Sequence, residues 1–181
     1  AGEKNAYAIL VDKYKDRAYS LAVSMVRNEH RAEEAVQEAF IRAYNGLRSF
    51  QGQSTFSTWL YRIVYNQCLT KSEQNKTSKL RNAELPENDY LSGSSPSPAD
   101  MAEQSEFSEI VQSSLLRMKE TYRTILTMFL VQELSYDEIS AITGLPETTI
   151  KTRLHRGRRQ LREMVLNRYN RTSCLDERKE V

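Results

Sequence analysis

The segment from Leu134 to Arg159, LSYDEISAITGLPETTIKTRLHRGRR, constrains the fold of this chain more than any other. Ser135 and Glu138 have the Ser-x-x-Glu spacing of a capping box, which predicts a helix starting there. Ile139 and Ile142 give that helix an inward face, and small Ser140 leaves room for a second helix to cross closely. Gly144 suits the left-handed backbone that ends a helix, and Leu145 is placed to plug the turn. Pro146 cannot extend the first helix but suits the start of the next. The second helix keeps Ile150 and Leu154 inward at four-residue spacing and turns Thr149, Lys151, Thr152, His155 and Arg156 outward. A tight helix pair with a basic outer helix is a helix-turn-helix of the kind that reads the DNA major groove.

Charge along the chain is divided. The net charge is only +2, yet 146–171 holds eight basic residues (Lys151, Arg153, Arg156, Arg158, Arg159, Arg162, Arg168 and Arg171) against Glu147 and Glu163. Between Glu84 and Glu106 there are six acids and no base, and between Asn28 and Tyr44 acids exceed bases four to two. This predicts a polyanion as the partner of the C-terminal end and something else for the rest.

Three of the four prolines and the tract LSGSSPSPAD lie between Leu85 and Asp100. Such composition buries too little apolar surface to fold alone. A linker is therefore expected over 73–103, dividing a unit over 1–72 from one over 104–181. Before it, Tyr7, Leu10, Tyr14, Ala18, Leu21 and Met25 make one helical stripe. A second is formed by Ala32, Ala35, Val36, Ala39, Phe40 and Ala43, and a third by Phe56, Trp59, Leu60, Ile63 and Val64. Gly46 and Gly52 bracket a loop between the last two. After the linker come Phe107, Ile110, Val111, Leu115 and Met118, then Tyr122, Ile125, Leu126 and Phe129. No stretch alternates with period two. The expectation is an all-α protein of two small helical domains, an N-terminal bundle and a C-terminal helix-turn-helix domain, on a flexible linker.

The helix AEEAVQEAFIRAY turns Glu33, Glu34, Gln37, Glu38, Ile41 and Arg42 outward, and an exposed Ile41 among acids and amides hints at a protein-binding face. Further on, Phe50, Phe56, Trp59, Tyr61 and Tyr65 are interleaved with Arg62, Asn66, Lys71 and Lys76. Unstacked bases need flat apolar surfaces and polar groups at their edges, while the strand backbone needs cations. Phe56 and Trp59 also suit a core, and Tyr61, Arg62, Tyr65 and Asn66 cannot all share one inward stripe.

Taken in order, AEEAVQEAFIRAY, FSTWLYRIVYNQC and LSYDEISAITGLPETTIKTRLHRGRRQLRE resemble a bacterial RNA polymerase sigma factor of the extracytoplasmic-function (ECF) class. The resemblance covers nearly the whole chain. It implies that 1–72 is the family's second conserved region and 104–181 its fourth. It also implies that Glu34, Gln37, Glu38 and Ile41 dock on the coiled coil of the polymerase's largest-subunit clamp. The loop and helix from Phe50 to Lys71 would then recognise and open the −10 element. There Ser54, Thr55 and Thr58 would line a pocket for a flipped non-template base, and Asn66 would read another; Arg62 and Tyr65 belong to the same candidate surface. Trp59 would brace the fold. For the duplex −35 element the matching positions are Lys151, Thr152, His155 and Arg156, with Arg153 and Arg158 nearer the phosphates and Thr149 beside them. Thr143 departs from the usual aliphatic residue, which is expected to loosen the helix crossing slightly. An anti-sigma factor is a further implied partner.

Other classes find less support. A one-component helix-turn-helix regulator accounts for the C-terminal half but leaves the acidic helix and the aromatic loop without a task. No GxSxG, P-loop, HExxH or clustered His/Asp/Glu set points to an enzyme. Cys68 and Cys174 make neither a disulfide framework nor a CxxC, and His30 and His155 have no metal-ligand spacing. Neither cofactor nor metal is expected. No run approaches a membrane span and no signal-peptide core is visible, so a cytoplasmic location without membrane contact is expected. The helical pattern already running at Ala1 suggests that some N-terminal residues are absent.

Overall fold

Helix α1 (Gly2–Val26) ends where Arg27 takes a left-handed backbone, φ 56°. That turn lets the next residue, Asn28, cap α2 (Glu29–Gly46) by accepting from the Arg31 backbone N–H at 2.9 Å. A short 3-10 turn (Leu47–Ser49) and a loop lead to α3 (Phe56–Arg81). The C-terminal half comprises α4 (Ala102–Arg117), α5 (Glu120–Leu130), α6 (Tyr136–Thr143) and α7 (Glu147–Asp176). The coordinates are a computed structural model that describes residues 2–81 and 102–176. Among these there is no strand, as an all-α reading requires.

The N-terminal half is a three-helix bundle, with α1, α2 and α3 each packed on the other two. Its second stripe is buried throughout: Ala32, Ala35, Val36, Ala39, Phe40 and Ala43 all face inward. Four of these are alanines, and their small side chains let α2 lie close against its neighbours. Leu21, Leu60 and Val64 fill the space between, each fully buried and each contributing about 1.5–3 kcal/mol of transfer free energy. Where α2 ends, a Cβ on Gly46 would lie 3.3 Å from Trp59 Cζ2, so the glycine allows the indole to close that end of the bundle. Tyr7 Oη donates to the Phe40 carbonyl at 2.6 Å and ties α1 to α2.

In the C-terminal half α7 packs on α4, α5 and α6. Ile110, Met118, Leu126, Ile139, Ile150 and Leu154 form its core. Gly157 is the point of closest approach, since a Cβ there would sit 3.0 Å from Leu126 Cδ1. Phe107, expected on the inward stripe of α4, is instead 53% exposed, because the buried face of that helix starts at Ile110.

Two observations depart from two modules on a simple tether. Helix α3 runs on through Arg81, nine residues past position 72. The run from Gln74 to Arg81 contains no Gly or Pro, so nothing local stops the helix. The remainder of the expected linker, residues 82–101, lies outside the described residues. The two halves also touch: α1 packs on α5, and α3 on α6.

Candidate nucleic-acid interface

The helix-turn-helix is built as its local chemistry dictates. Ser135 Oγ accepts from the Glu138 backbone N–H at 3.2 Å, while Glu138 Oε2 accepts from the Ser135 N–H at 2.9 Å. Both arms of the capping box are therefore made. At the other end Gly144, φ 72°, donates its N–H to the Ser140 carbonyl. Ser140 Oγ donates to the Leu145 carbonyl at 2.8 Å, and Thr143 Oγ1 donates to the Ile139 carbonyl at 2.7 Å. The Thr143 hydroxyl thus turns back onto a carbonyl of its own helix, one turn earlier. The Pro146 carbonyl receives the N–H groups of Thr149 and Ile150 and starts α7.

On α7 the side chains of Lys151, Thr152, His155 and Arg156 are exposed, and Thr149 and Arg153 are half-buried. Thr149, Thr152, Arg153 and Arg156 line an open groove of about 470 Å³ whose far wall includes Lys119 and Tyr122 of the α4–α5 corner. Lys151 pairs with Glu147 at 3.0 Å and lies 5.5 Å from the Tyr136 ring centroid. Glu147 also meets Asp137 at the start of α6. This contact holds the Asp137 carboxyl above its ordinary range and Glu147 below its own. Arg158 lies over the Phe129 ring at 4.5 Å, its guanidinium held against α5.

The loop before α3 is held by rings. Phe50 packs on Trp59 at 5.0 Å, and Phe56 lies between Trp59 at 5.8 Å and Tyr14 at 5.4 Å. Phe56 and Trp59 are half-buried, so the cluster braces the loop while leaving ring edges near the surface. Thr55 Oγ1 accepts from the Thr58 N–H at 3.2 Å and shares a 2.7 Å hydrogen bond with Thr58 Oγ1. Ser54, Phe50, Thr58, Trp59 and Arg62 line a cleft of about 350 Å³, and Ala141 of α6 forms part of its wall. Along the helix Arg62 and Asn66 are exposed, Tyr65 is half-buried and Tyr61 is fully buried. The expected −10 residues thus share one face of α3 and its preceding loop, with one correction. Thr58 is only 4% exposed, because Glu138 of α6 covers it and accepts its hydroxyl at 2.8 Å.

The acidic face of α2 carries a second correction. Lys71 is not an open cation: its Nζ bonds Glu34 at 2.9 Å and Glu38 at 3.0 Å. Burial works against the ammonium, but the two carboxylates outweigh it and hold its pKa above the ordinary value. The Lys71 hydrogen bond in turn lowers that of Glu34. Gln37 stays exposed and Ile41 is 61% exposed. Tyr44, three residues on, is exposed beside it and meets Tyr7 edge-on at 5.0 Å. Its i,i+3 spacing from Ile41 was the signal that could have added it to that face.

The most distinctive part of this geometry is the pairing of an aromatic-braced cleft with a separately capped basic helix on one chain. Residues 10–77 match the family described as Sigma-70 region 2, and residues 108–161 match Sigma-70, region 4. The chain is 38% identical over 170 residues to the ECF RNA polymerase sigma factor SigW of Bacillus subtilis, covering 91% of each. The chain belongs to the ECF sigma factors. It is also 32% identical over 165 residues to the ECF RNA polymerase sigma factor SigE of Mycolicibacterium smegmatis, covering 91% of this chain and 63% of that one. The fold is similar to that of the sigma factor RpoE solved in complex with the anti-sigma factor NepR from Bartonella quintana. The TM-score is 0.72 at 20% identity, over 88% of this chain and 96% of that one. Among the described residues of this sigma factor, no helix is long and apolar enough to cross a membrane, and no cluster of His, Cys, Asp or Glu could hold a metal.

Proposed function

We propose that this sigma factor is a dissociable specificity subunit that binds core RNA polymerase and directs it to promoters by reading −35 and −10 elements. The observation that carries the reading is the exposed row Lys151, Thr152, His155 and Arg156 on a doubly capped helix-turn-helix, within a chain matching both sigma regions. In this reading those four side chains face base edges of the −35 duplex, with Thr149, Arg153 and Arg158 toward the backbone. Phosphate contacts set position and base contacts set sequence. The loop and α3 capture melted non-template strand through Ser54, Thr55, Thr58, Arg62, Tyr65 and Asn66, offsetting an unstacking cost of a few kcal/mol per base. Gln37 and Ile41, with Glu34 and Glu38 held by Lys71, dock on the clamp coiled coil of the polymerase's largest subunit.

The proposed division is a −10 and polymerase-binding unit over 1–72, a linker over 73–103 and a −35 unit over 104–181. The chain performs no covalent chemistry; bond formation belongs to the polymerase, so the work is cytoplasmic. An anti-sigma factor is the proposed inhibitor, supported by the partner named with the structurally similar RpoE. The test is run-off transcription with purified sigma-free core enzyme on a promoter library. Discrete transcripts dependent on this chain are expected. Their absence across the whole library overturns the reading.

A further inference from the structure

Lys151 is exposed, yet its ammonium is held on two sides. Glu147, four residues earlier in the first turn of α7, lies 3.0 Å from its Nζ. Acid before base at this spacing is the favourable order on a helix. The same Nζ stands over the Tyr136 ring of α6, 5.5 Å from the centroid. Tyr136 is itself fixed. Its ring stacks on Phe129 of α5 at 5.6 Å with an interplanar angle of 24°, and Phe129 carries the Arg158 guanidinium at 4.5 Å. Both rings are half-buried and pack against the core. Lys151, Tyr136, Phe129 and Arg158 thus form one chain of contacts across three helices. Its two cations lie about two helical turns apart on α7.

This setting decides what the ammonium can seek. A lysine is a compact point charge on a flexible stem, and duplex DNA carries a negative charge about every 1.7 Å along its axis. Left to itself, such a group goes to the nearest phosphate, a contact that carries no sequence information. Glu147 changes that competition, because its carboxylate already faces the ammonium. Asp137, at the start of α6, hydrogen-bonds Glu147 and adds a second carboxyl. A phosphate approaching from this side would meet both acids. A base edge has no net charge and can accept one of the ammonium's remaining N–H groups. At 3.0 Å the pair is far shorter than the Debye length of about 10 Å at 0.1 M salt, so ordinary buffers leave it intact. The ring acts on direction: an ammonium held over a π face has less freedom to lose on docking.

We propose that Glu147 and Tyr136 are positioning residues that make Lys151 a reader of base edges rather than a phosphate grip. Glu147 offsets the charge that phosphates attract, and Tyr136, backed by Phe129 and Arg158, sets where the ammonium points. The inference rests on the −35 reading given above and deepens it, since base preference at one position then depends on two side chains that act through a third.

The test uses reconstituted holoenzyme on duplex promoter fragments substituted one base pair at a time across the −35 element. Affinities are measured at several salt concentrations, giving a preference at each base pair and a slope of log affinity against log salt. Lys151→Ala is expected to abolish preference at one base pair and leave the slope unchanged. Glu147→Gln is expected to lower that preference about 3- to 10-fold as substituted sequences gain affinity, and to steepen the slope by about 0.9, one added phosphate contact. Tyr136→Leu is expected to lower the same preference about 3-fold, and Tyr136→Phe, which keeps the ring, to restore it. In a Lys151→Ala background neither Glu147→Gln nor Tyr136→Leu should change the preference further.

A slope that becomes shallower by about 0.9 in Lys151→Ala, with equal loss on every sequence, would make Lys151 a phosphate contact and overturn the proposal. Effects of Glu147→Gln or Tyr136→Leu that persist without Lys151 would overturn it too, because those residues would then act on DNA or on the fold directly. Failure of Tyr136→Phe to restore preference would put the hydroxyl in place of the ring and remove Tyr136 from its assigned role. If circular dichroism shows that Tyr136→Leu has lost helix, the Glu147→Gln and Lys151→Ala pair decides. An unaltered holoenzyme with no preference anywhere in the element would instead sink the −35 reading, and the proposal with it.

Discussion

An arginine that reads a base and one that grips a phosphate fail differently when truncated. Arg156 is exposed on the groove side of α7, and Arg156→Ala is expected to cost about 1–3 kcal/mol on the preferred −35 sequence while relaxing preference at one position. Gel-shift competition between promoter variants on the holoenzyme checks this. An equal loss on every sequence would make Arg156 a phosphate contact. Asn66→Ala is expected to impair open-complex formation at −10 while leaving affinity for core enzyme unchanged, read by permanganate footprinting beside a core-binding titration. At this scale the sequence showed which side chains face outward on α7, because four-residue spacing around Ile150 and Leu154 leaves little choice. It did not show that Lys71 is committed to Glu34 and Glu38. That pairing joins residues on two helices, and no spacing rule within one helix reaches across.

Elements differ in how far local chemistry defines them. Helix α6 is specified at both ends, by the Ser135 capping box and by Gly144 on its left-handed backbone. Ser135→Ala is expected to cost about 1 kcal/mol, seen as a lower denaturation midpoint with an unchanged slope. Glu138 makes that element sensitive to acid. Its pKa is lowered below the ordinary 4.5, first by the Ser135 N–H and then, against the opposing effect of burial, by the hydroxyls of Thr58, Ser135 and Thr55. A group with a depressed folded-state value stabilises fully above its unfolded value and stops doing so as pH falls through the folded one. The C-terminal half should therefore lose stability below about pH 4.5, and Glu138→Gln should flatten that part of the profile. A flat profile in the unaltered chain would remove Glu138 from the account. By contrast, α3 has no stop signal at 72 and runs on to Arg81, because the Pro and Ser tract that marks the linker in composition begins later. Inward stripes were legible wherever they ran over several turns, as on α2, and failed at the margin on α4, where Phe107 lies beyond the covered face.

At the scale of the whole molecule, the contacts of Arg27, Arg123 and Gln132 between the halves end on carbonyl groups rather than on opposite charges. The contact of Arg123 is buried and those of Gln132 and of Arg27 with Met118 are partly so, and such contacts are weakly screened. Raising salt from about 0.05 to 0.2 M should leave the scattering envelope of the free protein nearly unchanged. The same change should weaken promoter duplex binding by the holoenzyme by orders of magnitude, since phosphate contacts release counterions. An envelope that expands in step with the loss of binding would show that ordinary ion pairs dominate the junction.

The amino-acid sequence by itself determined the helical class, the inward stripes, the complete helix-turn-helix and the family. Each rests on periodicity, capping or turn chemistry that acts within a few residues. Only the tertiary structure decided that the halves close on each other and that Thr58 is covered. Those contacts join groups 80 to 115 residues apart in the chain, Thr58 with Glu138 and Gln132 with Arg17. Their partners include backbone carbonyls, which every residue carries and no sequence pattern marks. Arg123 was the one visible trace, a lone cation in the apolar run TYRTILTM, and its role follows from what surrounds it in space rather than from its neighbours in the chain.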